Sequence, residues 1–116
     1  MPDTFVRMKQ GEKRPLYGTV TAQSGTLTIA ASPAPTCTLY DAAGDAIAGL
    51  TDMAVTGYDS GPAASRRVWY VLNTTSPVLL VAGFYTLVFQ FTATGSDGIQ
   101  RVYEPSLEVQ VMDVRG

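Results

Sequence analysis

Apolar and polar residues alternate with period two along most of the chain. This is the repeat of a half-buried β-strand, because successive strand side chains point to opposite faces. The alternation predicts strands over 4–8, 16–21, 26–30, 37–40, 53–56, 66–72, 84–93 and 100–112. Between them stand QGEKRP, AQSG, ASPAP, DAAGD, DSGPAAS, NTTSP and TGSDG. These segments are rich in Gly, Pro, Asn, Asp and Ser, which favour turns through backbone freedom, a fixed φ or local side-chain bonding. Turns at about 8–12-residue intervals with no helical repeat indicate a sandwich or barrel. The alanines of DAAGDAIAGL offer a helical alternative over 41–50, but Gly44 and Gly49 weaken it and a turn is expected.

The run GFYTLVFQFTATG is the most informative stretch. Tyr85, Leu87, Phe89 and Phe91 share one face; Phe84, Thr86, Val88, Gln90 and Thr92 share the other. One apolar and one mixed face suit a sheet with one side on the core. TGSDG then reverses the chain, and Leu107, Val109 and Val111 alternate with Glu108, Gln110 and Met112. Pro105 should kink or bulge this last strand, or place it on an edge. Tyr85 stands where immunoglobulin-type sandwiches carry a tyrosine whose hydroxyl bonds to the chain just upstream. Leu87 takes the place of the usual core cysteine, and Trp69 is a candidate core tryptophan. The expected fold is all-β, an immunoglobulin-like sandwich of about seven to eight antiparallel strands.

Composition narrows the class. The 116 residues make one domain, which should expose roughly 6,000 Å² when folded. With 46% hydrophobic and 16% charged residues, the chain is neither a disordered tail nor a membrane protein. The net charge of -2 argues against nucleic acid as a partner. Arg7, Lys9, Lys13 and Arg14 could form a small positive patch, but read first as a solvated arm. No apolar run approaches the length of a membrane span, and the N-terminus lacks the apolar centre of a signal peptide, so folding in the cytosol in which it is made is expected. Cys37 is the single cysteine, which rules out an internal disulfide; between Thr36 and Thr38 it should face inward.

Candidate chemistry is sparse. The chain has no histidine, the commonest general base and metal ligand. It has no phosphate loop, nucleophile elbow or zinc spacing. Asp41 and Asp45 flank small residues and read as a turn rather than a calcium loop. Glu12, Glu104 and Glu108 read as surface charges. Asn73-Thr74-Thr75 is formally a glycosylation acceptor, but reads as a capped turn. No catalytic residue, metal or cofactor is expected, and the protein is not expected to be an enzyme.

Longer motifs carry a resemblance. Gly11, Glu12, Arg14, Pro15 and Leu16 form an entry; Asp41, Gly44 and Ile47 follow in the middle; Gly83, Tyr85, Phe89, Asp97, Gly98, Pro105 and Val111 close the pattern. The set resembles the small immunoglobulin-like domains of tailed-bacteriophage virions, and is similar to the N-terminal domain of phage baseplate upper proteins. The resemblance implies a structural virion protein: a capsid decoration, a neck or head–tail connection, or a tail or baseplate component. Its partners would be other virion proteins, met in many copies within a symmetric assembly. It further implies an extended N-terminal arm (1–12) before the sandwich domain (13–116). Phe5, Val6, Arg7 and Met8 of the arm, with the loops around Asp59 and Asp97, are the expected contact elements. The alternative is a surface-adhesion or carbohydrate-binding sandwich, which would display coplanar exposed aromatics.

Overall fold

The computed structural model describes residues 4–75 and 80–113. Ten strands follow in order: β1 (Thr4–Lys9), β2 (Lys13–Thr21), β3 (Leu27–Ile29), β4 (Thr36–Tyr40), β5 (Met53–Ala54), β6 (Gly57–Tyr58), β7 (Ser65–Asn73), β8 (Gly83–Gly95), β9 (Gln100–Tyr103) and β10 (Ser106–Met112). All eight expected strands are present. The count rises to ten because the expected 53–56 strand shortens to β5 at 53–54, an unanticipated two-residue strand β6 follows at 57–58, and 100–112 divides at Glu104-Pro105. No helix occurs among the described residues. The 41–50 stretch is a series of turns, the first held by Asp41 Oδ1, which accepts the N–H groups of Ala43 (2.9 Å) and Asp45 (3.0 Å).

The strands form two sheets. The larger runs β1-β10-β8-β4-β5, with β3 and β9 flanking the far half of β8; the smaller runs β2-β7-β6. β8 is the spine: its first half pairs with β10 and β4, its second with β9 and β3. The two sheets face each other across one apolar core, the arrangement of a β-sandwich. Tyr85, Leu87, Phe89 and Phe91 all point into it, from 6% exposed to none. Leu107, Val109 and Val111 join them from β10, and Leu16, Val68 and Leu72 from the small sheet. Cys37 is buried as expected. At one end Leu27 pairs with Gly95 of β8 and also bridges Ala63, in the loop just before β7.

Pro105 interrupts the last hairpin without inserting a residue. Ser106 faces Val88 and Tyr103 faces Phe91, so the register is continuous across the break. Phe89 donates its N–H to the Pro105 carbonyl at 2.9 Å. The reciprocal bond cannot form, because proline has no N–H. The expected bulge is therefore absent here. Between β3 and β4 the chain instead leaves the sheet in a loop, Ala30 to Pro35, which stands opposite only Phe91 and Thr92.

Tyr85 makes the expected corner. Its hydroxyl donates to the Val81 carbonyl at 2.7 Å, pinning the entry to β8.

Two expectations are corrected. Trp69 is not a core tryptophan: it is half-buried beside Tyr17, on the outer face of the small sheet. Nor does the chain divide into an arm at 1–12 and a domain at 13–116. Residues 4–9 are β1, paired in parallel with β10 over Thr4↔Leu107 to Lys9↔Met112, and Met8 is fully buried in the shared core. The apolar alternation Val6/Met8 against Phe5/Arg7 makes this stretch an edge strand rather than a free arm.

Candidate partner-binding surfaces

The expected contact residues fall in two places. Phe5, Val6, Arg7 and Met8 lie on β1, with Phe5 level with Glu108 and Thr86. Asp97 lies just beyond the far end of β8, and Asp59 directly follows β6, bonded level with Arg67 of β7 in the small sheet. From the level of Thr86 to Gly95 at the end of β8 is about 30 Å at strand rise. The structure therefore does not bring β1 and the two loops into one site. It does bring the loops near each other: Leu27 N–H donates to Ala63 O at 2.8 Å, and Ser96 N–H to Thr26 O at 2.9 Å.

Within β1 the four residues differ in what they can touch. Phe5 and Arg7 are exposed on the outer face, with the guanidinium 5.5 Å from the centre of the Phe5 ring. Val6 packs against the core and Met8 is inside it. Only Phe5 and Arg7 can present their side chains to a partner while the domain is folded.

Arg14 of β2 donates to the Arg7 carbonyl at 3.2 Å and pairs with Glu12 at 2.9 Å. Glu12 also accepts the Lys9 N–H, and this bond is the leading cause of its lowered pKa, followed by the Arg14 charge. The turn between β1 and β2 is locked from the far side by Thr74. This residue is fully buried; its Oγ1 accepts the Gly11 N–H and donates to Glu12 O at 3.2 Å. The adjoining Asn73 caps its own turn, accepting from Thr75 N (2.9 Å) and Oγ1 (2.8 Å). The N-T-T triplet is thus built into the fold as a turn.

Both aspartates are structural partners of nearby arginines. Asp59 Oδ2 accepts from Arg67 Nε and from the Arg67 backbone N–H, each at 3.1 Å. These bonds, the side-chain one foremost, hold its pKa below the usual carboxylate value. Asp97 Oδ1 accepts the Ile99 N–H at 3.0 Å, and its other oxygen pairs with Arg101 at 3.2 Å. The backbone bond is the larger cause of its lowered pKa. Beside Asp97 a cleft of about 380 Å³ opens between the hairpin and the 22–26 loop, lined by Ser24, Thr26, Arg101 and Tyr103 among others.

The outer face of the small sheet carries a feature that sequence reading did not single out. Tyr17 and Trp69 are cross-strand neighbours with ring centres 5.8 Å apart and planes tilted by 47°. The Arg67 guanidinium lies 5.1 Å from the Tyr17 ring and 5.9 Å from the Trp69 ring. Gly57 of β6 makes room for the indole, since a β-carbon there would come within 2.6 Å of Trp69 Cζ2. The tilt and the overlying arginine keep the rings from forming one flat platform. The available signal was parity: Arg67 and Trp69 alternate with Val68, so Trp69 shares the face of a charged residue.

Across the molecule, the outer face of the large sheet carries Phe5 and Phe84, 44% and 49% exposed. Among the described residues no group of three or more His, Cys, Asp or Glu could hold a metal ion. No protein-family profile matches the chain, and no curated protein matches it significantly.

Proposed function

We propose that this chain is an immunoglobulin-like sandwich that serves as a structural protein of a tailed-bacteriophage virion, working by protein–protein assembly without turnover. The strand division supports the fold assignment. β2-β7-β6 opposite β10-β8-β4 matches the way an immunoglobulin sandwich shares its strands between sheets, and the Tyr85–Val81 bond supplies its tyrosine corner. The virion assignment rests on the resemblance carried by the motif from Gly83 to Val111.

The observation that carries the assembly reading is the make-up of the two outer faces. They hold Tyr17, Trp69 and Arg67 on one side and Phe5, Arg7 and Phe84 on the other. Trp, Tyr and Arg side chains are enriched among the few residues that carry most of the binding energy of protein interfaces. A domain of this kind would contribute to a particle by shape, with modest contacts summed over many copies.

The test is the genomic neighbourhood of the gene, together with mass spectrometry of particles induced from its source. A portal, capsid or tail gene alongside, and this chain in purified particles, are the expected results. Neighbours of secretion or sugar metabolism, with the chain absent from particles, would overturn the reading.

A further inference from the structure

The outer face of the large sheet is divided by charge. Successive strands bring Phe5, Glu108, Thr86 and Tyr40 to one level, and Arg7, Gln110 and Phe84 to the next. Arg7 and Lys9, both exposed, stand along the β1 edge. Glu108 stands on the neighbouring strand, and Asp41 follows Tyr40 at the β4 edge. Between the 41–44 turn and β8 lies a groove of about 350 Å³ whose lining includes Tyr40, Asp41, Phe84, Thr86 and Glu108. Two aromatic rings and two carboxylates around one groove suit a cationic side chain, held by cation–π attraction and charge pairing.

We propose that this face is a two-fold interface between copies of this chain, in which Arg7 of each copy enters the other's groove between Tyr40 and Phe84, against Glu108 and Asp41. The argument is self-complementarity. A two-fold axis along the strands, lying between β10 and β8, reverses the strand order while keeping the levels. It sets the cationic β1 edge of one copy over the anionic β4 edge of the other, twice. It also sets Phe5 over Tyr40 of the other copy and brings the two Phe84 side chains close to the axis. An isologous contact needs one patch carrying both halves of each pair, and this face has them. Phe5 holds the Arg7 guanidinium over its ring, so the cation is pre-positioned on the outer side. A standard interface takes about 800 Å² from each partner. A face 23 Å wide on a molecule 50 Å long has room for that.

The inference deepens the assembly reading above and rests on it for biological context, but its test is independent. Analytical ultracentrifugation of the whole chain across a concentration and salt series should show a monomer–dimer equilibrium weakened by salt. Arg7→Glu and Glu108→Lys should each raise the dissociation constant about tenfold or more, and the double exchange should recover most of that loss. Both positions are on the surface, and far-UV circular dichroism confirms that the variants fold. Tyr17→Ser, on the opposite face, should leave the equilibrium unchanged. A chain that stays monomeric at every concentration overturns the dimer, while leaving the virion reading to its genomic and particle tests. A dimer indifferent to Arg7 and Glu108 but broken by Tyr17→Ser overturns it equally.

Discussion

The Phe89 ring lies directly over the α-carbon of Gly18, across the gap between the two sheets. A β-carbon at residue 18 would meet Phe89 Cδ2 at 2.6 Å and Pro105 Cγ at 3.1 Å. The absence of a side chain thus sets how closely β2 approaches β8. Gly18→Ala should force the sheets apart or drive Phe89 off its rotamer, at a cost of about 1–3 kcal/mol. Urea denaturation checks this; an unchanged midpoint would show that the core yields freely at this point.

The Tyr85 hydroxyl bond to Val81 predicts a smaller loss. Tyr85→Phe keeps the ring in the core and removes one hydrogen bond, so about 0.5–1.5 kcal/mol should be lost. Val81 is exposed, so water can reach its freed carbonyl, which places the expected loss toward the lower end. The same denaturation measurement reads it.

Thr74 gives a sharper contrast. Thr74→Val preserves shape but removes the fully buried hydroxyl that joins the Gly11 N–H to Glu12 O, at about 0.5–1.5 kcal/mol for each bond lost. Thr74→Ser keeps the hydroxyl and should recover most of that. If Val and Ser behave alike, the hydroxyl does not hold the β1–β2 turn.

Met8 distinguishes a strand from an arm. Met8→Ala removes a fully buried side chain and should cost about 2–5 kcal/mol, as a core truncation does. Exposed Arg7→Ala should change stability by less than about 0.5 kcal/mol. Thermal melts of the two variants check the order; equal melts would mean that β1 contributes nothing to the core.

Cys37 makes stability sensitive to alkali. Burial pushes its thiol from 9.0 up to about 12. Above pH 9 the unfolded chain loses this proton while the folded chain keeps it. The stabilisation is therefore complete below about 9 and declines as pH rises, by up to about 1.4 kcal/mol per unit. The raised pKa values of Tyr70 and Tyr85, from burial first, act in the same direction from about 10 upward. On the acid side, the lowered values of Glu12, Asp59 and Asp97 work the other way. Their contribution is present above the ordinary carboxylate range and disappears as pH falls through the folded-state values. With no histidine in the chain, stability should be nearly flat from about pH 6 to 8. Denaturation midpoints for the parent and for Cys37→Ala between pH 7 and 11 test this. The variant should start lower and fall less steeply, and parallel slopes would remove Cys37 as the cause.

Much of the strand layout was legible in alternation alone, since period two is enforced wherever one face is dry and the other wet. Tyr85, Leu87, Phe89 and Phe91 could be placed inside for that reason. The candidate surfaces were far less legible. Arg67 is distant from Tyr17 in sequence, and only the β2–β7 register lays its guanidinium over that ring. The groove between Tyr40 and Phe84 likewise needs β4 and β8 side by side.

Local chemistry determined the turns, the inward faces of β8 and β10, and the tyrosine at the start of β8, because each depends on residues a few positions apart. Tertiary structure decided what depends on distant partners. It drew the first strand into the large sheet beside β10, turned Trp69 outward onto Tyr17, and set Phe89 against the bare backbone of Gly18. Alternation says that a strand has two faces, but only the neighbouring strands decide which element lies beside it and what covers each face.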